Sequence, residues 1–158
     1  MTCRLDLLAD ADVAAPDLMG LGLQEVLDAA TAGLGPCMLV VRLIGDAVSS
    51  ELHAAHFADP EPTDVMSFPD GGRDPEDGRL LLGDLAVNAN LASREASRRR
   101  PGLPPARATA EECALYIVHG LLHLLGEDDT TPAKRKKMWA KQRTLLAGIG
   151  IALEEEPS

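Results

Sequence analysis

The spacing of apolar positions changes repeatedly along the chain, alternating between strand-like runs and helical periods. Arg4–Leu8 reads as a short strand. Pro16–Leu34 carries Leu18, Leu21, Val26, Leu27 and Ala30 at helical spacing and opens with a proline near its first turn, as helices tolerate. Cys37–Ile44 is an almost unbroken apolar run rich in branched residues, which predicts a central strand. A helix is expected over Asp46–Phe57, with Asp46 placed to cap it. Val65–Phe68 and Leu80–Val87 predict two further strands, separated by a Gly/Pro/Asp-rich loop over 69–78. Helical periods then dominate: Asn88–Arg99, a Pro101–Pro105 break, Thr109–Leu125 with Thr109 and Glu112 spaced as a capping box, and Pro132–Ala147.

These elements predict an α+β single domain, with a mixed sheet of about four strands packed against about five helices. The 158 residues suit one hydrophobic core. The expected domain covers 1–150, and 151–158, ending in three glutamates, proline and serine, reads as a frayed acidic tail. Cys3, Cys37 and Cys113 are widely spaced and odd in number, which predicts reduced core thiols. The N-terminus has acids where a secretion signal would be basic and apolar. No apolar stretch is long enough to span a bilayer, so the expectation is a soluble, cytoplasmic protein.

The formal net charge of −10 argues at face value against nucleic acid as a partner. Divided by region, it does not. Residues 1–89 carry −12, residues 90–145 carry +5 and residues 146–158 carry −3. The basic third contains Arg98-Arg99-Arg100 and Lys134-Arg135-Lys136-Lys137, which are either solvated faces or a local patch for phosphates. Aromatics make up 3 % of the chain, too few for a platform of stacked bases, so backbone recognition is favoured.

The chemistry is concentrated in His119-Gly-Leu-Leu-His123-Leu-Leu-Gly126-Glu-Asp-Asp129. Histidines four apart share one helix face and can reach one metal ion. Gly126 falls where a helix would stop, and the reversal could swing Asp129 back as third ligand, with Glu127 and Asp128 as competitors. Two imidazoles and one carboxylate leave a coordination position open, the arrangement of a catalytic site. The metzincin protease pattern fits except at Gly120, where those enzymes carry the glutamate that serves as general base. Peptide hydrolysis is therefore the alternative, not the first reading.

The segment resembles the H-G-x-L-H-L-x-G-x-D-H signature of the YbeY-type metal-dependent endoribonucleases, or rRNA maturation factors. Pro62-Thr-Asp-Val-Met-Ser-Phe-Pro69 resembles the family's P-T-D-V-L-S-F-P, and Leu82-Gly-Asp-Leu-Ala-Val87 its L-G-D-I-V-I. Asp129 stands where the family has its third histidine, so the implied site is His119, His123 and Asp129, holding one divalent ion, zinc first. The resemblance implies hydrolysis of single-stranded RNA in ribosomal RNA maturation and ribosome quality control. Implied partners are ribosomal RNA and ribosome-associated proteins, with neither DNA nor membrane; a non-catalytic, metal-containing ribosome-associated factor is the further alternative. Ser67 and Asp84 are candidate cleft residues, and Arg98, Arg99, Lys134 and Lys137 candidate phosphate contacts. Some relatives carry an arginine before the first motif; His53-Ala-Ala-His56-Phe57 has none, which makes His53 and His56 substrate-contact candidates or ordinary surface residues. Gly83 inside an apolar strand predicts a bulge or a close backbone approach. No general base is readable.

Overall fold

The structure, a computed structural model, describes residues 2–59 and 61–154. In chain order they form β1 (Cys3–Ala9), α1 (Leu18–Leu21), α2 (Leu23–Ala30), a 3-10 turn (Ala32–Leu34), β2 (Cys37–Ile44), α3 (Asp46–Phe57), β3 (Val65–Pro69), β4 (Leu80–Asn88), α4 (Ala89–Arg99), α5 (Pro105–Leu124) and α6 (Pro132–Ala147). The strands make one sheet in the order β1-β2-β4-β3, with β1 parallel to β2, β2 parallel to β4, and β3 antiparallel to β4. The fold is therefore α+β with a four-stranded mixed sheet and, among the described residues, six α-helices. None of these helices is long and apolar enough to cross a membrane.

Helix α5 is the axis of the core. Every residue from Ala110 to Val118 is buried, the pattern of a helix packed on all sides. It lies on β3 and β4, while α1, α2, α4 and α6 pack around it; α3 covers the other sheet face through Val48 and Leu52 against Ile44, Met66 and Ala86. Close approach of α5 to the sheet depends on Gly120. A Cβ there would lie 2.8 Å from a methyl of Leu85 and 3.0 Å from one of Val65. The three cysteines are buried and free, and desolvation pushes the Cys3 and Cys113 thiols up to about 12, which keeps them protonated.

Four local expectations are corrected. The helix expected over Pro16–Leu34 is two helices and a turn, because Gly22 sits at φ 97° and ends α1 with a left-handed residue. Asp46 lies inside α3, whose cap is Gly45; its carboxylate instead binds the Arg94 guanidinium at 2.6 and 3.0 Å, which holds its pKa below the usual range. Helix α5 begins one turn early at Pro105, so Thr109 and Glu112 are interior and form no capping box. The chain after 150 also packs: Ile151 and Leu153 belong to the core, and the backbone oxygen of Ala152 accepts from Arg100. Residues 155–158, the rest of the expected tail, lie outside the described residues.

Buried charge ties α4 to α5. Glu112 is fully buried, with its carboxylate 3.4 Å from Arg100 and 3.8 Å from Arg99. Glu111 accepts from Arg107 at 2.8 Å and from Arg100 at 3.2 Å. Arg100 is thus a structural cation in the arginine run. Removing it leaves fully buried Glu112 with Arg99 alone, at 3.8 Å, and Glu111 with Arg107, so Arg100→Met is expected to lower unfolding free energy by about 3–5 kcal/mol in urea titration; a loss below about 1 kcal/mol would contradict this role.

Candidate metal centre

The last turn of α5 and the reversal after it build the centre. Gly126, at φ 97°, closes the helix: its N–H donates to the His123 carbonyl at 3.0 Å, and the Glu127 N–H donates to the Leu122 carbonyl at 2.9 Å. This paired pattern is a Schellman stop. It carries the backbone oxygen of Glu127 to 3.1 Å from His123 Nδ1. A carbonyl oxygen only accepts, so Nδ1 of His123 is the donor to it, and in the neutral imidazole Nε2 is then the lone pair turned to the site. His119 is fixed in the same sense by Gln142 of α6, whose Oε1 lies 2.6 Å from His119 Nδ1. The two Nε2 atoms then face each other at 3.1 Å, and Asp129 Oδ2 lies 3.7 Å from one and 3.8 Å from the other.

Three acceptor atoms converge here, all within 4.8 Å of one another. Facing lone pairs repel unless a cation sits among them. Tetrahedral ligands about 2.0–2.1 Å from a zinc ion are about 3.4 Å apart, close to the distances seen, so the donor set fits a divalent metal. Gln142 and the Glu127 carbonyl are the outer partners that such imidazole ligands require.

The competitors for the third position are engaged elsewhere. Asp128 accepts from the backbone and hydroxyl of Thr130 at 3.1 and 2.8 Å and from Lys134 at 3.1 Å, which together pull its pKa down to about 2. The Glu127 carboxylate pairs with Lys141. Arg135 donates to the Asp129 carbonyl at 3.4 Å, and Thr131 caps α6 by accepting from the Lys134 N–H, so the loop holding Asp129 is anchored on the far side.

Two cavities flank the histidines. One, of about 380 Å³, is lined by His53, Phe57, Ser67, Leu124 and both metal-site histidines; the other, of about 490 Å³, by Arg98, Arg99, Tyr116, Trp139, Gln142 and His119. Both contain Thr63, Asp64 and His119, so a groove runs past the centre on either side. Ser67 is in it, its hydroxyl donating to the Gly120 carbonyl at 3.2 Å. Arg98 and Arg99 line it too, although both pair with Glu95. His53 reaches it as well; its Nδ1 lies 2.7 Å from the Glu61 carbonyl. His56 instead packs edge-on against Phe68.

Asp84 does not reach the groove. Its neighbour Leu85 faces Gly120 of α5, so alternation along β4 turns Asp84 to the opposite sheet face, where it is exposed beside Phe68. Lys134 is spent on Asp128. Lys137 lines a separate apolar groove with Leu34, Leu122, Leu125 and Leu145 that contains neither histidine. The bulge at Gly83 is present: pairing with β2 shifts there, and a Cβ on Gly83 would meet the Phe68 carbonyl at 2.3 Å. Gly120 excludes more than a missing base, because the site where proteases place their glutamate is filled by Leu85 and Val65.

Sequence reasoning missed Gln142 and the Glu127 carbonyl. Gln142 was detectable, since it occupies the buried stripe Met138-Gln142-Leu146 of an otherwise basic helix, where a polar residue needs a partner. A backbone carbonyl leaves no mark in composition.

The model of a family described as endoribonuclease YbeY matches residues 15–150. Similar proteins described as endoribonuclease YbeY include one from Thermobifida fusca, 36 % identical over 75 % of this chain and 76 % of its own length. One from Mycolicibacterium smegmatis is 40 % identical over 68 % of this chain, a match that spans 61 % of that relative. One from Moorella thermoacetica is 35 % identical over 82 % of this chain and 85 % of its own. A protein of Thermotoga maritima with a solution structure shares the fold, with a TM-score of 0.60 over 92 % of this chain and 89 % of that one at 22 % identity. The match from α1 through the histidine helix to the end of α6, with relatives at these identities, means that the chain belongs to the endoribonuclease YbeY family.

Proposed function

We propose that the protein is a metal-dependent endoribonuclease whose ion, zinc first, is held by His119 Nε2, His123 Nε2 and Asp129 Oδ2. The observation that carries this reading is the convergence of those three atoms, with two cavities meeting at His119 beside them. Cavities on two sides of His119 leave room for the chain to continue in both directions from a bound phosphodiester, which suits endonucleolytic attack. When bound, a divalent ion supplies Lewis acidity to a phosphodiester oxygen. The chain's own residues do the rest: Gln142 and the Glu127 carbonyl hold the two imidazoles with Nε2 inward, and Ser67 fastens β3 to the histidine helix. Arg98, at 70 % side-chain exposure, stands at the groove edge as the phosphate contact, with Arg99 behind it. An aspartate in place of a third histidine adds negative charge, which lowers the site's Lewis acidity and shifts its preference toward harder ions. Ribosomal RNA is the proposed substrate, cleaved in the cytoplasm during rRNA maturation with ribosome-associated proteins as partners.

Three outcomes are expected. A circular single-stranded RNA, which has no ends, should be cut by the zinc-loaded protein and spared after chelation; cleavage confined to linear RNA would overturn the endonucleolytic reading. His123→Ala and Asp129→Ala should each lower that cleavage by at least about 100-fold, and activity in His123→Ala equal to wild type would rule out this centre. Gln142→Leu should weaken zinc affinity by about 10- to 100-fold in competition with a chromogenic chelator, because His119 loses its orienting partner. Unchanged affinity would mean that Gln142 does not position the ligand.

A further inference from the structure

Trp139 is the chain's single tryptophan and is not needed to build the metal centre. It lies on α6 three residues before Gln142, the residue that holds His119. Its indole N–H donates to the Glu154 carbonyl at 2.8 Å, which occupies the ring's one polar atom and fixes its orientation. The ring is only partly buried. It lines the 490 Å³ cavity that contains His119, and also a neighbouring cavity of about 570 Å³ lined by Arg98, Arg99, Arg100 and Leu153. A large apolar ring is thus pinned beside the proposed catalytic centre between two cavities whose other walls carry charge.

The charge of the first cavity indicates what fits against that ring. Asp64 and Glu95 balance Arg98 and Arg99, so the lining is formally neutral and does not by itself attract a polyanion. A flat, uncharged group with donors and acceptors on its edge meets this chemistry better than a phosphate does, and a nucleobase is such a group. Arg98, exposed at the rim, remains the cation for the attached phosphate.

We propose that Trp139 is a stacking platform for one base of single-stranded RNA, seated in the cavity next to His119, with the phosphate of that nucleotide against Arg98. This rests on the endoribonuclease reading and adds a position at which the enzyme holds a base rather than the backbone alone. A single fixed ring suffices, because every base has a π-face and stacking tolerates sequence.

Because no other tryptophan is present, intrinsic fluorescence reports on this ring directly. The zinc-loaded full chain is mixed in stopped flow with an adenosine octaribonucleotide and, separately, with an abasic ribose-phosphate chain of equal length and charge. The octamer should quench the fluorescence and the abasic chain should not. Trp139→Leu should raise KM for cleavage of a longer single strand roughly 5- to 150-fold, with kcat changed by less than about twofold and zinc content unchanged; Trp139→Phe should recover most of the loss. Octamer binding seen by anisotropy with no change in Trp139 fluorescence would overturn the platform while leaving the endoribonuclease reading intact. So would a wild-type KM in Trp139→Leu. If the wild-type protein neither binds nor cuts RNA, both proposals fall together.

Discussion

Everything at the centre depends on the contact between Gly120 and the sheet. Helix α5 carries His119 and His123 on either side of this glycine, and the missing side chain is what lets the helix rest on Leu85 and Val65. A Cβ at 2.8 Å from a Leu85 methyl and 3.0 Å from a Val65 methyl would crowd this seam, so either those side chains or the helix with its imidazoles would have to shift. The same contact brings the Gly120 carbonyl within reach of Ser67, which locks β3 to the helix beside the histidines. Two further devices complete the geometry: the Schellman stop at Gly126 turns the chain so that Asp129 faces back, and α6 packs close enough for Gln142 to hold His119. Core packing and site geometry are therefore a single constraint.

The electrostatics divide in a way that the net charge conceals. Of the basic third, Arg100 neutralises buried Glu111 and Glu112, Lys134 stabilises the turn through Asp128, and Lys141 pairs with Glu127. Lys134 and Lys141 organise the reversal that leads to Asp129, whereas Arg100 ties the end of α4 to the first half of α5. Arg98, on the rim, is the one aimed at the groove with most of its side chain in solvent. Surface pairs of this kind contribute little to stability and exchange partners readily, so Arg98 can leave Glu95 for a phosphate at small cost.

The sheet, the order of elements and the histidine helix were legible in the sequence, because Cys37–Ile44 is a strand by composition and His119/His123 share a face by spacing alone. Asp129 was legible through Gly126, whose positive φ imposes the reversal, and through its place in the signature that the segment resembles. Other features were hidden because they depend on neighbours distant in sequence. The period of Pro16–Leu34 persists across Gly22 although the helix does not, and Asp84 reads as a cleft residue until the β4 register turns it to the opposite face. The acidic composition after residue 150 masked Ile151, which is 1 % exposed in the core. The buried fate of Glu112 was equally unreadable, since its partners Arg99 and Arg100 come from the preceding helix.

The most direct measurement is anomalous diffraction at the zinc edge from crystals of the zinc-loaded protein. The account predicts one peak per chain, about 2.0–2.2 Å from His119 Nε2, His123 Nε2 and Asp129 Oδ2. A peak liganded by Asp128 with Asp129 turned to solvent, or no peak at these histidines, would contradict it.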